Sequence, residues 1–170
     1  MQSYKIIVFC LIAALSQAVW AQTGGEGGEQ PVSVSVEAFV VSEVTGEDGA
    51  VQERFSPAST ARPGQVVEYR LSVNNQEETT LPAGTVVVTG PIPESTRYVE
   101  NSATPSSERV LTEFTTDGET YGEPPLTGSG EGTGGAGTLT PSDYTAARWT
   151  LLTPLEPAQE EVFTYRVVVE

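Results

Sequence analysis

The chain has 170 residues, no histidine, one cysteine, and 23 acidic residues against eight basic ones, for a formal net charge of −15. Without histidine, a Ser-His-Asp triad, a His-ligated metal and a histidine pH switch are excluded. The arginines, Arg54, Arg62, Arg70, Arg97, Arg109, Arg148 and Arg166, are spread singly; nucleic-acid binding needs clustered basic charge, so no nucleic-acid partner is expected.

The first residues, MQSYKIIVFCLIAALSQAVWAQ, place Lys5 before an apolar run from Ile6 to Leu15 and the small-residue pattern Ala18-Val19-Trp20-Ala21. That is the layout of a secretory signal peptide, residues 1–21, with cleavage after Ala21. The apolar run is too short for a hydrocarbon core about 30 Å thick, which needs roughly 20 apolar residues. Cys10 and Lys5, the sole cysteine and the sole lysine, leave with this leader. The mature chain then has no thiol for catalysis, disulfides or zinc, and no lysine for a Lys-Asn isopeptide cross-link. What remains is long enough for one domain that buries roughly 68–70% of its unfolded surface.

Residues 22–31 are rich in glycine and glutamate, without apolar residues before Pro31, and read as a flexible segment. From Val32 the string VSVSVEA alternates at a period of two and puts Val32, Val34 and Val36 on one face of a half-buried strand. Arg62-Pro63-Gly64 suits a type II turn, since proline fixes φ near −65° and glycine accepts the positive φ that follows. After it, Val67, Tyr69, Leu71 and Val73 face one way, and Glu68, Arg70, Ser72 and Asn74 the other.

Further strands are expected at Thr85 to Thr89, Thr96 to Val99, Val110 to Thr115, Ala146 to Leu152 and Glu161 to Val169, the last with Phe163, Tyr165, Val167 and Val169 on one side. Pro82-Ala83-Gly84, Gly90-Pro91, Asp117-Gly118 and Pro154 to Pro157 separate them as turns. The string LPAGT, Leu81 to Thr85, has the wrong order and position for a sorting signal and belongs to such a turn. Between Gly122 and Pro141 the rhythm breaks into a glycine-rich loop at 127–138, which lacks the lysine and following helix of a phosphate-cradling loop. The ending FTYRVVVE has no hydrophobic tail, so no stable membrane anchor is expected. With no helical period anywhere, residues 32–170 are expected to form an all-β, immunoglobulin-like antiparallel β-sandwich of about seven strands.

The segment from Ala61 to Thr104, through Pro63-Gly64, Tyr69, Asn75, Val86 to Val88, Ile92-Pro93 and Tyr98, resembles the conserved-repeat surface module catalogued as domain of unknown function eleven. Thr116 to Pro125 and Ala147 to Glu170 continue the resemblance more faintly. It implies an immunoglobulin-like sandwich of bacterial and archaeal surface proteins, and a structural, spacer or adhesive role without catalytic residues. Gly90 departs from the family, which usually has an aspartate there.

No catalytic, cofactor-binding or metal-ligating residue is assigned. The doublets Glu77-Glu78 and Glu160-Glu161 are not natural acid/base pairs, because adjacent strand residues point to opposite faces. Calcium would need converging oxygens, whereas Asp48, Asp117 and Asp143 lie far apart; Glu47-Asp48 and Asp117-Gly118-Glu119 read first as turns. Trp149 shares parity with Ala147 and Leu151 and is expected in the core rather than on a sugar platform. Asn75 is expected to hold a strand-end turn through its side chain.

The expectation is an exported, non-enzymatic structural or adhesive protein of the cell envelope or extracellular space, without cofactors, whose partners are copies of itself or other envelope proteins. A filament or surface-layer subunit is one form of it; the strand from Val32 would then add to a neighbour's sheet edge, although pairing within its own domain is the simpler expectation. The alternative is an envelope module binding a polysaccharide, a divalent cation or a protein.

Overall fold

Each residue step along an extended chain reverses the side to which the side chain points, so two-residue alternation folds into strands with one buried face. The structure, a computed structural model, describes residues 6–9, 32–47, 49–129 and 136–170. The cleavage position after Ala21, the segment 22–31, Asp48 and the tip of the glycine-rich loop at 130–135 lie outside the described residues. In chain order the strands are β1 (Ile6–Phe9), β2 (Val32–Thr45), β3 (Val51–Pro57), β4 (Val66–Asn75), β5 (Val86–Pro91), β6 (Thr96–Tyr98), β7 (Val110–Thr115), β8 (Thr127–Ser129), β9 (Ala136–Thr138), β10 (Ala146–Leu151) and β11 (Glu160–Val169).

One sheet has the order β3-β2-β4-β11-β6 and the other β1-β5-β10-β7. Neighbours in both are antiparallel, except that β1 runs parallel to β5. The result is a β-sandwich, the all-β architecture the alternation calls for. From β4 to β7 the chain changes sheet at every connection, and it does so again from β10 to β11, which stitches the two layers together. Thr127–Ser129 and Ala136–Thr138, the two arms of the glycine-rich loop, pair as a small ladder of their own.

The predicted faces meet in the core. Val67, Leu71 and Val73 of β4 and Phe163, Tyr165 and Val167 of β11 pack against Val86 and Val88 of β5, Ala147, Trp149 and Leu151 of β10, and Val110 and Phe114 of β7. Trp149 is fully buried and stacks on Phe163, with ring centroids 5.6 Å apart; its indole N–H donates to the Thr104 carbonyl at 3.2 Å. Both antiparallel layers and this cluster are complete within residues 32–169.

The strand at Val32 pairs within its own domain, with β4 from Val32 to Val41 and with β3 from Phe39 to Thr45. Strand β3 is one the sequence pattern does not announce: Gln52, Glu53 and Arg54 are consecutive polar residues, and all seven positions are exposed. It forms because the turn after Thr45 returns the chain alongside β2. The turn before β4 follows its sequence signature, with Gly64 at φ +83° and the Gln65 N–H donating to the Arg62 carbonyl at 3.0 Å.

Candidate functional site

The residues singled out by sequence have structural partners. Asn75, 1% exposed, donates from Nδ2 to the carbonyls of Thr79 (2.9 Å) and Leu155 (3.0 Å) and accepts from the Glu77 N–H (2.9 Å), which closes the turn after β4. The Asp117 carboxylate accepts from the Thr115 hydroxyl and from the N–H groups of Glu119 and Thr120, each at 2.8 Å. Those backbone donors, first of all Thr120, hold its pKa down to about 2. The doublet at the start of β11 divides as strand geometry requires: Glu161 is partly buried and bonds Arg109, while Glu160 is exposed. Glu77 and Glu78 sit in the turn after β4.

Two features emerge only in three dimensions. The first is a hollow of about 600 Å³ beside β6 and β7, with Tyr98, Phe114 and Tyr144 beneath it and Glu100, Glu123 and Thr104 at its sides. The Phe114 and Tyr144 rings stack at 4.7 Å. Burial pushes the hydroxyl pKa values of Tyr98 and Tyr144 up. Sequence reading missed this cluster because its residues come from three separated segments; the one signal was the aromatic that β6 and β7 each carry.

The second feature is the set of sheet edges. An open edge invites pairing with another chain, and proteins blunt it with charge, proline, shortness or cover. Strand β3 carries Glu53 and Arg54 and ends at Pro57. Strand β6 has three residues. Strand β7 is covered: Thr112 N–H donates to the Ser106 hydroxyl at 2.9 Å, and Phe114 exchanges two backbone bonds with Gly122. Strand β5 ends, like β3, at a proline, Pro91, but Val86–Thr89 has neither charge nor a covering loop, and from Thr79 to Pro93 the chain carries no charge.

The β5 edge is occupied by β1, which pairs in parallel with Ile6 opposite Val86 and Phe9 opposite Thr89. Its position follows from the sandwich. Strand β10 lies over β11 through Trp149 and Phe163, and β7 lies over β6 through Phe114 and Tyr98, whose rings are 5.0 Å apart. Strand β5 therefore lies over β4, and the three antiparallel strands of the smaller layer leave β2 and β3 without a roof. Val36, which pairs with the fully buried Leu71, is 37% exposed even with β1 seated, so the cover over this face of β2 is partial. A strand added at β5 lies above that face of β2.

On the far side of the larger sheet, Glu68 is 6% exposed and bonds both Arg70 and Arg166 at 2.8 Å, while Arg166 grips Glu53 with two bonds of 2.7 Å. The Phe55 ring lies 4.7 Å from the Arg70 guanidinium and 5.9 Å from that of Arg166. Strand β11 is three steps of about 4.8 Å from β3, so this contact draws the β2–β3 hairpin toward β11 on the outer face.

Among the described residues, no group of three or more His, Cys, Asp or Glu side chains converges as a metal site, and no helix is long and apolar enough to cross a membrane. No family model, no curated protein and no solved structure matches the chain.

Proposed function

We propose that the protein is a non-enzymatic, exported structural module of the cell envelope or extracellular space, which joins a larger assembly through the unfilled place in its smaller sheet. The observation that carries this reading is the parallel seating of Ile6–Phe9 on β5. The strand that completes the smaller layer belongs to the segment with the layout of a cleavable leader, so export removes it and leaves an uncharged edge along Val86–Thr89 with nothing over it. The signal-peptide pattern and the resemblance of Ala61 to Thr104 to surface modules support the same compartment and role.

The test is to express the full chain in a diderm bacterium, fractionate the cells and weigh the exported protein. The expected mass begins at Gln22, with the protein outside the cytoplasm and co-sedimenting with envelope material. Retention of residues 1–21, or accumulation as a free cytoplasmic monomer, would overturn the reading.

A second reading, a binding module, is favoured by the hollow over Tyr98, Phe114 and Tyr144. Its hydroxyls, two carboxylates and ring edges suit a neutral sugar rather than an anion. Calorimetry with neutral oligosaccharides would give heat that Tyr144→Ala abolishes; no heat across the set removes this reading.

A further inference from the structure

Removal of the leader would leave the β1 position beside β5 vacant, and its surroundings specify what fits. Below lies β2, where Val34 is partly buried and Val36 stays 37% exposed with β1 seated, both on the face that looks toward the smaller sheet. Beside it runs Val86–Thr89 of β5, with no charged residue from Thr79 to Pro93 in a chain of net charge −15. An occupant must hydrogen-bond along one edge and bury side chains against valines, which calls for an uncharged, β-branched or aromatic strand. Ile-Ile-Val-Phe, seated there in parallel register, has that chemistry.

The sandwich geometry also excludes one occupant. If two copies paired β5 against β5 in a continuous sheet, the larger sheet of each, which extends past β5 by β2 and β3, would occupy the same space as that of its partner. The neighbour's whole domain cannot fit; a lone extended segment can. The processed chain offers none of the right kind, since the residues ahead of its sandwich, QTGGEGGEQ, are glycine, polar residues and glutamate.

We infer that the cleft between the β5 edge and β2 is a binding site for an uncharged, β-branched extended segment of a different polypeptide, held in parallel to β5, and that the leader strand occupies this site until it is removed. This rests on the proposed export and processing, but binding to the cleft can fail or succeed independently of where the protein is found.

The experiment uses residues 22–170, which retain both antiparallel layers and the core. The probe is a fluorescein-labelled peptide of residues 6–9, Ile-Ile-Val-Phe, extended by an uncharged serine-glycine tail for solubility and followed by anisotropy. Saturable binding is expected, with about tenfold or greater weakening by Val36→Lys, because a charge in the cleft opposes strand pairing. A peptide with proline in place of Ile7 is expected not to bind, because proline deletes a ladder donor. Trp149 emission checks that the variant is folded; should Val36→Lys unfold the chain, Val87→Lys, beside the same edge but outside the core cluster, takes its place. No binding by the wild-type chain, or binding undiminished by the lysine, overturns the site. Oligomers of residues 22–170 that the peptide dissolves and the lysine abolishes would make a second copy the donor and overturn the choice of partner.

Discussion

Gly90 shows how much a single missing methyl group matters between two packed layers. A Cβ there would lie 2.7 Å from Cε1 of Tyr165 and 3.1 Å from Cζ3 of Trp149, two rings that are fully buried. Tyr165 cannot swing aside without giving up its 2.6 Å bond to the Pro91 carbonyl. Gly90→Ala is therefore expected to cost about 1–3 kcal/mol in urea unfolding, the usual penalty for overpacking. The contact was invisible in sequence because it depends on what the opposite sheet places over β5. Asp117, by contrast, was legible as a turn residue, since Asp-Gly binds its own following N–H groups. Its pKa falls from 3.8 to about 2 on folding, so its contribution is complete above about pH 4 and disappears as the pH drops through 2. Melting of Asp117→Asn should lie below wild type at pH 7, with the difference closing as the buffer approaches pH 2.

At the scale of elements, alternation located β4, β7, β10 and β11 almost to their ends, because each has one face in the core and the hydrophobic pattern is itself the signal. Strand β3 escaped for the converse reason: it buries neither face, so its sequence has no period to obey. Its outer-face link to β11 runs through side chains. Arg166 bridges Glu53 and Glu68, and Glu68 also holds Arg70. Removing the buried carboxylate leaves two guanidinium groups without their shared partner. Glu68→Gln should cost about 2 kcal/mol, less than the full penalty for breaking a buried pair because both arginines reach solvent. Glu53→Gln should cost less and lose its effect in high salt, since that carboxylate is the more exposed partner. Guanidinium unfolding would confound the comparison through its own ionic strength, so urea is the denaturant to use. Which strand neighbours which was not readable either, because periodicity fixes a strand's face and not its partner.

For the whole molecule, the balance of charge opposes compactness. Most of the 23 acidic residues have no arginine to meet, so folding brings like charges together. Salt should consequently stabilise the protein: raising sodium chloride from about 20 to about 500 mM shortens the Debye length several-fold and should raise the melting midpoint by several degrees. A flat or falling midpoint would mean that the arginine pairs outweigh the repulsion. The list of inaccessible chemistries could be read from composition alone, whereas the hollow and the place beside β5 that β1 fills arise from how two layers of unequal width are stacked. Trp149 supplies a means of watching that stack. If Trp20 leaves with the leader, as the proposed export requires, the indole at the centre of the sandwich is the only one, pressed on Phe163 and Tyr165 and shut off from water. The protein thus carries its own optical gauge: emission at short wavelength while the layers are closed, a red shift when water reaches the ring, and a single chromophore to which every change can be assigned.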